Sequence, residues 1–495
     1  MTVPVPVRGL APGRADLWRL AAAVGLGLVL IAGAMREGPI EGPRGVLIVA
    51  MGGAAGVVVF LAPVATALLL LLASFFRLAI HVSGLPAEPM TLLFAALVVA
   101  VAIATLRGTI RLHFGPLEAV MLAYLLWNVV SAVWPHVYPA AMPLTGEPIV
   151  IYRFIMMGTV FPFAGYVVGR ALFQSASRIR VLLFGVLGFA AYSALVSILQ
   201  FTGPRALVWP KYIVDKPSWP ERAVGVFDQP VVNGLVMSMG FIAAVFLAKD
   251  RSLKGWQRVL AGLVAPLCAV GIYLTHTRAV LIVFGLALVL CAFIAPNSRS
   301  VFAGSLIGAG MFVVAEWATI ASADRAEGGL GSPSEVQDRL NMIQTSFWAI
   351  REEPIVGWGI GRFAQVNTHH HQQWATDINW TRGYGYSSHE NELGIAVELG
   401  LIGLALWLVV LAMVAYQIVR AFRRLPRAGV DGRTIAVLAV VSVVVWVGSG
   451  ATVDMRYNDF VNLLVFLIAG AAVGASIRQR DEQAGKAREP AGAST

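Results

Sequence analysis

The chain has 495 residues, of which 58% are hydrophobic and only 13% charged, with a formal net charge of +10. A mean hydropathy of +0.75 lies outside the balance of a soluble globular domain, so lipid is the solvent for most of the chain. The basic excess does not call for nucleic acid, because Lys and Arg in the connections on one membrane face fix orientation.

A bilayer core of about 30 Å needs roughly 20 apolar residues per helix. In chain order, spans are expected near 17–35, 45–61, 64–81, 88–106, 116–134, 150–170, 180–200, 229–248, 258–275, 278–296, 300–319, 393–418, 434–450 and 458–477. This makes an all-α, polytopic integral membrane protein of about 12–14 transmembrane helices. Residues 1–16 read as a cytoplasmic tail without a cleavable signal peptide, and 17–319 as the first part of the membrane domain. Residues 320–392 form a long extracytoplasmic (periplasmic) loop, 393–477 the C-terminal membrane helices and 478–495 a disordered cytoplasmic tail. Pro63 divides 45–81 into two spans, which sets the parity of the connections up to Arg107. With the N-terminus inside, short inner connections hold Arg107 and Arg111; Arg170, Arg178 and Arg180; Lys249 to Arg258; and Arg420 to Arg433, as the positive-inside rule demands.

This topology leaves three polar segments outside: Phe201 to Asp228, the turn Thr275 to Arg278, and Ala321 to Glu392. The last is too long for a simple connection. Within it, Val336, Leu340, Ile343, Phe347 and Ile350 recur at helical spacing over Ser334 to Glu352, so an amphipathic helix lying on the membrane face is expected, opened by a serine cap. Gly357, Gly359 and Gly361 then end helical structure; no strand precedes them, so they are no dinucleotide fingerprint.

Arg222 and Arg278 fall at outer boundaries, where a guanidinium holds phosphate oxygens bidentately, against the blander role of snorkelling to headgroups. His389 precedes a span and titrates near neutrality, which suits proton transfer; an interfacial histidine already satisfied by its surroundings is the alternative. Glu398 lies about two and a half turns further on, too far to share a hydrogen bond with His389, and an acid at that depth is expected to pair with a buried arginine. His369, His370 and His371 with Asp377 lack a second ligand set, and Cys268 and Cys291 lie in apolar runs without ligand or disulfide spacing, so no metal site is expected.

The stretch His389-Glu-Asn-Glu-Leu followed by Glu398-Leu-Gly-Leu-Ile-Gly403 resembles the signature of the O-antigen ligase/polymerase superfamily, in which a histidine precedes a Glu-x-Gly-Leu-x-Gly helix start. Arg222 with Gly225, Pro230 and Asn233 is similar to that family's upstream segment, and Thr277-Arg278-Ala279 to its arginine turn. Arg339 with Pro354, Gly357, Gly359 and Phe363 is similar to the pattern before the histidine. Glu390 stands where the family usually has the Asn, which here follows as Asn391; Thr277 replaces the commoner Ser.

The resemblance implies transfer of a glycan from an undecaprenyl diphosphate carrier to a hydroxyl acceptor, such as another glycan or lipid A core, at the outer face of a bacterial inner membrane, without cofactor or metal. His389 would be catalytic, Arg222 and Arg278 would hold the diphosphate, and Arg339, Glu398 and Asn391 would support them. Membrane lipids are the remaining partners; nucleic acid is not one. A transporter or flippase would instead show charges inside its spans and broken helices in corresponding halves. Here only Glu316 and Glu398 approach mid-span and the halves do not repeat. A carrier-dependent transferase using an acidic pair in the first outer loop would have only Glu37 and Glu41 to offer.

Overall fold

A computed structural model of the chain describes residues 62–80, 88–143, 145–215, 218–324 and 328–486. The expected spans 17–35 and 45–61, together with Glu37 and Glu41, lie outside the described residues. The structure is all-helical, 73% helix, with no strand among the described residues. Among the described residues nine helices are long and apolar enough to cross a membrane, and the protein is a multi-pass membrane protein.

The long helices are α2 (Pro89–Leu106), α3 (Pro116–Val133), α4 (Ile151–Leu172), α5 (Ala176–Thr202), α6 (Pro230–Lys249) and α7 (Gly255–Leu274). They are completed by α12 (Asn391–Arg424), a helix over Val430–Gly450 whose regular part is α13 (Ile435–Gly450), and α14 (Asp459–Lys486). Three shorter apolar helices, α1 (Pro63–Phe75), α8 (Arg278–Ile294) and α9 (Arg299–Ala315), stand where spans were expected. Pro63 occupies the first turn of α1, where its missing N–H costs no hydrogen bond, so at this proline a helix begins. Glu316 is not a mid-span charge: it caps α9 and is exposed.

Helices α6 and α14 form the centre, each 94% buried over its apolar window. Lipid supplies no hydrophobic drive between helices, so close packing through small residues does the work. A Cβ on Gly169 would strike the backbone of Leu467, and one on Gly470 or Gly474 the backbones of Tyr166 or Arg170, so α4 and α14 meet main chain to main chain. Arg170, expected as an orientation charge, is buried and paired with Glu118 at 2.8 Å.

The long polar segment contains α10 (Pro333–Glu352) and α11 (Phe363–His369), the second not foreseen from sequence. The cap of α10 is Ser332, two residues before the expected start, its hydroxyl accepting from Glu335 N–H; Pro333 follows in the first turn. The side of α10 that packs on protein is Asn341, Met342, Thr345, Ser346 and Ala349. Of the expected apolar stripe, Val336 and Phe347 are turned outward, 44% and 45% exposed, Leu340 and Ile343 are half-buried, and Ile350 packs on Ala349, Phe363, Val366 and Val397.

Helix α12 is broken at Gly400, whose φ of 66° and ψ of −174° belong to no helix. The expected helix start at Glu398-Leu-Gly400 is this break inside a longer element, so a short first piece, from Asn391 to Leu399, precedes the membrane-crossing part. The carbonyls released by the break are satisfied from elsewhere, as buried backbone requires. Trp358 and Gly359 N–H donate to Val397 and Glu398 carbonyls, both at 2.9 Å, and the Trp127 indole donates to that of Leu399 at 2.9 Å. Gly357, at φ +71°, lets the loop approach so closely, since a Cβ there would strike the backbone of Val397, Glu398 and Gly400; at Gly359, φ +100°, a Cβ would strike the His136 ring.

Candidate functional site

The turn between α7 and α8 is as tight as its sequence indicates, three residues from Leu274 to Arg278. It is zipped to the segment before α6: Ala223 N–H donates to the Leu274 carbonyl at 2.8 Å, and His276 Nδ1 lies 2.7 Å from the Glu221 carbonyl. Arg222 and Arg278 are thereby held on the same end of the bundle. Their surroundings differ. Arg222 is buried, stacks over Trp219 at 4.9 Å, and donates to the carboxylate of Glu335 on α10. Arg278, first residue of α8, is exposed and donates to the Ser332 carbonyl at 3.1 Å, which ties it to the cap of α10.

One turn beyond Glu335, Arg339 is half-buried and its guanidinium makes no hydrogen bond or ion pair among the described residues. Burial lowers its pKa, which Glu335 and Glu390 oppose and Arg278 reinforces; it nevertheless stays charged at any working pH. Three arginines from three separate segments therefore converge, one neutralised by a carboxylate and two available to an anion.

His389 joins this group from the other side. Burial depresses its imidazole below the usual value and the nearby Arg339 depresses it further, while the bond to Ser387 works the other way. Its Nδ1 lies 3.0 Å from the Ser387 carbonyl, an acceptor only, so Nδ1 carries the proton and Nε2 keeps its lone pair. Beside it the Glu390 carboxyl is pushed up to about 7 by burial, Arg339 opposing and Glu392 adding to the rise. Asn391 is fully buried; its amide donates to Glu392 at 3.1 Å and its side-chain oxygen has no hydrogen-bond partner among the described residues.

Glu398 does not reach His389. Its Oε2 accepts from Arg456 at 2.6 Å and its Oε1 from the Phe363 N–H at 3.0 Å, the buried arginine pairing that its depth demands. Arg456 was not singled out from sequence. It lies in the connection between α13 and α14, forks onto Asp454 through Nε at 2.9 Å and Nη2 at 2.6 Å, and packs over Phe154 at 4.8 Å. A Cβ on Gly394 would meet its Nη2 at 2.7 Å and the Ser388 hydroxyl at 2.9 Å, so Arg456 lies directly under the turn that bears His389. Its only sequence signal was the need of Glu398 for a cation.

The three consecutive histidines diverge. His369 stacks on Tyr138 at 4.4 Å, His370 Nε2 lies 2.7 Å from the Tyr138 hydroxyl, and His371 Nδ1 donates to Asn367 at 2.7 Å. Among the described residues no three His, Cys, Asp or Glu side chains come together as metal ligands would.

No curated protein matches the sequence. Residues 263–408 match a family model described as O-antigen ligase, a stretch that includes Arg278, Arg339, His389, Asn391 and Glu398 but neither Arg222 nor Arg456. Over this stretch, with the motif residues gathered at one end of a helical membrane bundle, the chain is similar to the O-antigen ligase family.

Proposed function

We propose that the protein transfers a saccharide from a polyprenyl diphosphate carrier, undecaprenyl diphosphate in bacteria, to an acceptor hydroxyl at the outer face of the inner membrane, as a ligase or polymerase. The observation that carries this is the pairing of an imidazole with a free Nε2 lone pair and two arginines open to an anion, Arg278 and Arg339, at one end of a membrane bundle. Nε2 takes the proton of the acceptor hydroxyl as its oxygen attacks the anomeric carbon. The bond from that carbon to the phosphate oxygen breaks, and the departing diphosphate keeps the electron pair. Preorganised guanidinium groups stabilise the charge that develops there. Arg222, already matched by Glu335, holds α10 in register with the α7–α8 turn, and Glu398 and Asn391 act through the α12 start.

Deleting the gene in its own host tests this. Lipid-linked glycan is expected to accumulate, as single repeat units if the enzyme is a polymerase or as long chains with a bare acceptor if it is a ligase. Wild-type glycan with no lipid-linked intermediate would sink the transferase reading.

The sidedness belongs to the same proposal: residues 320–392 extracytoplasmic and the connection Arg420 to Arg433 cytoplasmic, with the apolar stripe of α10 on the lipid surface. Both native cysteines are buried, so introduced thiols report cleanly. Thr376→Cys and Ala428→Cys, at exposed positions, are expected to label with a membrane-impermeant reagent from opposite sides. Labelling of both from one side would end this topology.

A further inference from the structure

Between α11 and α12 the chain carries large aromatic rings that the fold holds outward. Trp380 is 46% and Tyr386 45% exposed, yet the backbone bearing them is bonded from beneath by two buried amides. Asn341 of α10 donates to the carbonyls of Asn379 and Arg382, both at 3.1 Å. Asn367 of α11 donates to those of Gly383 at 2.7 Å and Tyr386 at 3.1 Å. Trp380 and Tyr384 lie 5.0 Å apart, tilted by 37°, and Tyr386 lies 6.1 Å from the His389 ring at 30°. A rigid loop that keeps such surface in solvent presents it to a ligand.

Aromatic rings at a membrane protein's edge also serve as an interfacial belt. The geometry of α10 argues against that role. Asn341 and Thr345, which seat the loop through its backbone, lie on one side of the helix. Val336, Ile343 and Phe347, seven and eleven residues along from the first, lie on the opposite side. If the apolar stripe meets lipid, the aromatic loop is on the aqueous side of the helix, where the polar Asn379, Thr381 and Arg382 flank Trp380 along the chain.

We propose that Trp380, Tyr384 and Tyr386 form a stacking subsite for pyranose rings of the acceptor glycan. A pyranose offers an apolar C–H face to a ring and hydroxyls at its rim to polar neighbours, the amphipathic match that tyrosine and tryptophan make. The acceptor is favoured over the donor because the strip ends beside His389, which takes the acceptor's proton, while Arg278 and Arg339 hold the donor's diphosphate. The assignment rests on the transferase reading above.

The test uses the purified full-length protein with lipid-linked donor and a soluble oligosaccharide acceptor, KM being measured for each substrate separately. Trp380→Ala and Tyr386→Ala are each expected to raise the acceptor KM by roughly 3- to 10-fold, leaving kcat and the donor KM at wild-type values. Tyr386→Phe keeps the ring and is expected to keep the wild-type acceptor KM. An acceptor KM unchanged in both alanine variants, or donor and acceptor KM rising together, would overturn the subsite while leaving the transferase intact. A wild-type protein that transfers to no saccharide acceptor, and binds none by calorimetry, would overturn both.

Discussion

His389→Ala is expected to abolish transfer while leaving binding of the lipid-linked donor in place. Loss of a general base costs about 10² to 10⁴ in rate, and nothing in the histidine's geometry touches the anion site other than its proximity to Arg339. Arg278→Lys and Arg339→Lys are expected to lose about 10² to 10³ in kcat and to bind donor poorly, since lysine keeps the charge but not the planar fork. The double arginine variant should be scarcely worse than the worse single, because groups that stabilise one developing charge act as a unit. Arg222 is expected to behave differently. Its substitution removes a largely buried ion pair between α10 and the segment before α6, so activity should fall along with the amount of folded protein rather than at constant yield. The pH profile adds a second reading. With its pKa lowered, His389 stays neutral across the neutral range, so the acid limb of kcat should fall below the pH of an ordinary imidazole. Glu390, pushed up to about 7, gains negative charge beside Arg339 as pH rises, which opposes an anionic donor. The donor KM should therefore climb through neutrality in the wild type and stay level in Glu390→Gln. Well-expressed His389→Ala, Arg278→Lys and Arg339→Lys proteins with near-native transfer would show these sites to be wrongly assigned; an unaltered donor KM profile in Glu390→Gln would remove Glu390 from the account.

Arg456→Ala should be the most damaging change to the fold itself. It strands two buried carboxylates, Asp454 at 3% and Glu398 at 1% exposure. Breaking a buried pair by removing one partner costs about 3 to 5 kcal/mol, a large share of a protein's total stability. Little folded protein should be recovered. Exchanging all three for neutral residues, Arg456→Met with Asp454→Asn and Glu398→Gln, removes the stranded charge and should restore much of the yield, because the pair as a whole contributes little net stability. Transfer should not return with it, since Arg456 underlies the Ser388–His389 turn. Thermal melts in detergent decide the matter: an Arg456→Ala protein that melts with the wild type would refute the structural role.

The membrane helices were legible because the constraint that writes them is local: each needs its own run of apolar residues, whatever its neighbours are. The α7–α8 turn was legible for the same reason, two apolar runs separated by too few residues to do anything else. What stayed hidden depends on distant partners. Arg222 reads as a boundary charge until α10, 113 residues later, brings Glu335 to it. Arg456 reads as one more basic residue in a short connection, and only the packing of α14 on α4 carries it to Glu398, 58 residues earlier. The break at Gly400 falls inside the expected span 393–418, where nothing in the local pattern marks it. The donors that make a break tolerable, Trp358, Gly359 and Trp127, come from elsewhere in the chain. The apolar stripe of α10 was found, but the sequence could not tell that its polar side is the one packed on protein, since amides such as Asn341 there act as fasteners for a loop.

The late position of Arg456 also bears on how the enzyme is made. Chains emerge and insert from the N-terminal end, so α12 emerges before the residue that neutralises Glu398 does. Until the α13–α14 connection arrives, the start of α12 carries a bare carboxylate, the turn bearing His389 lacks its support, and the donors from the glycine-rich loop have no settled helix break to join. The imidazole and the arginines thus come into register only as the last membrane helix is seated. A nascent or prematurely ended chain would hold the motif residues without the arrangement that brings them together.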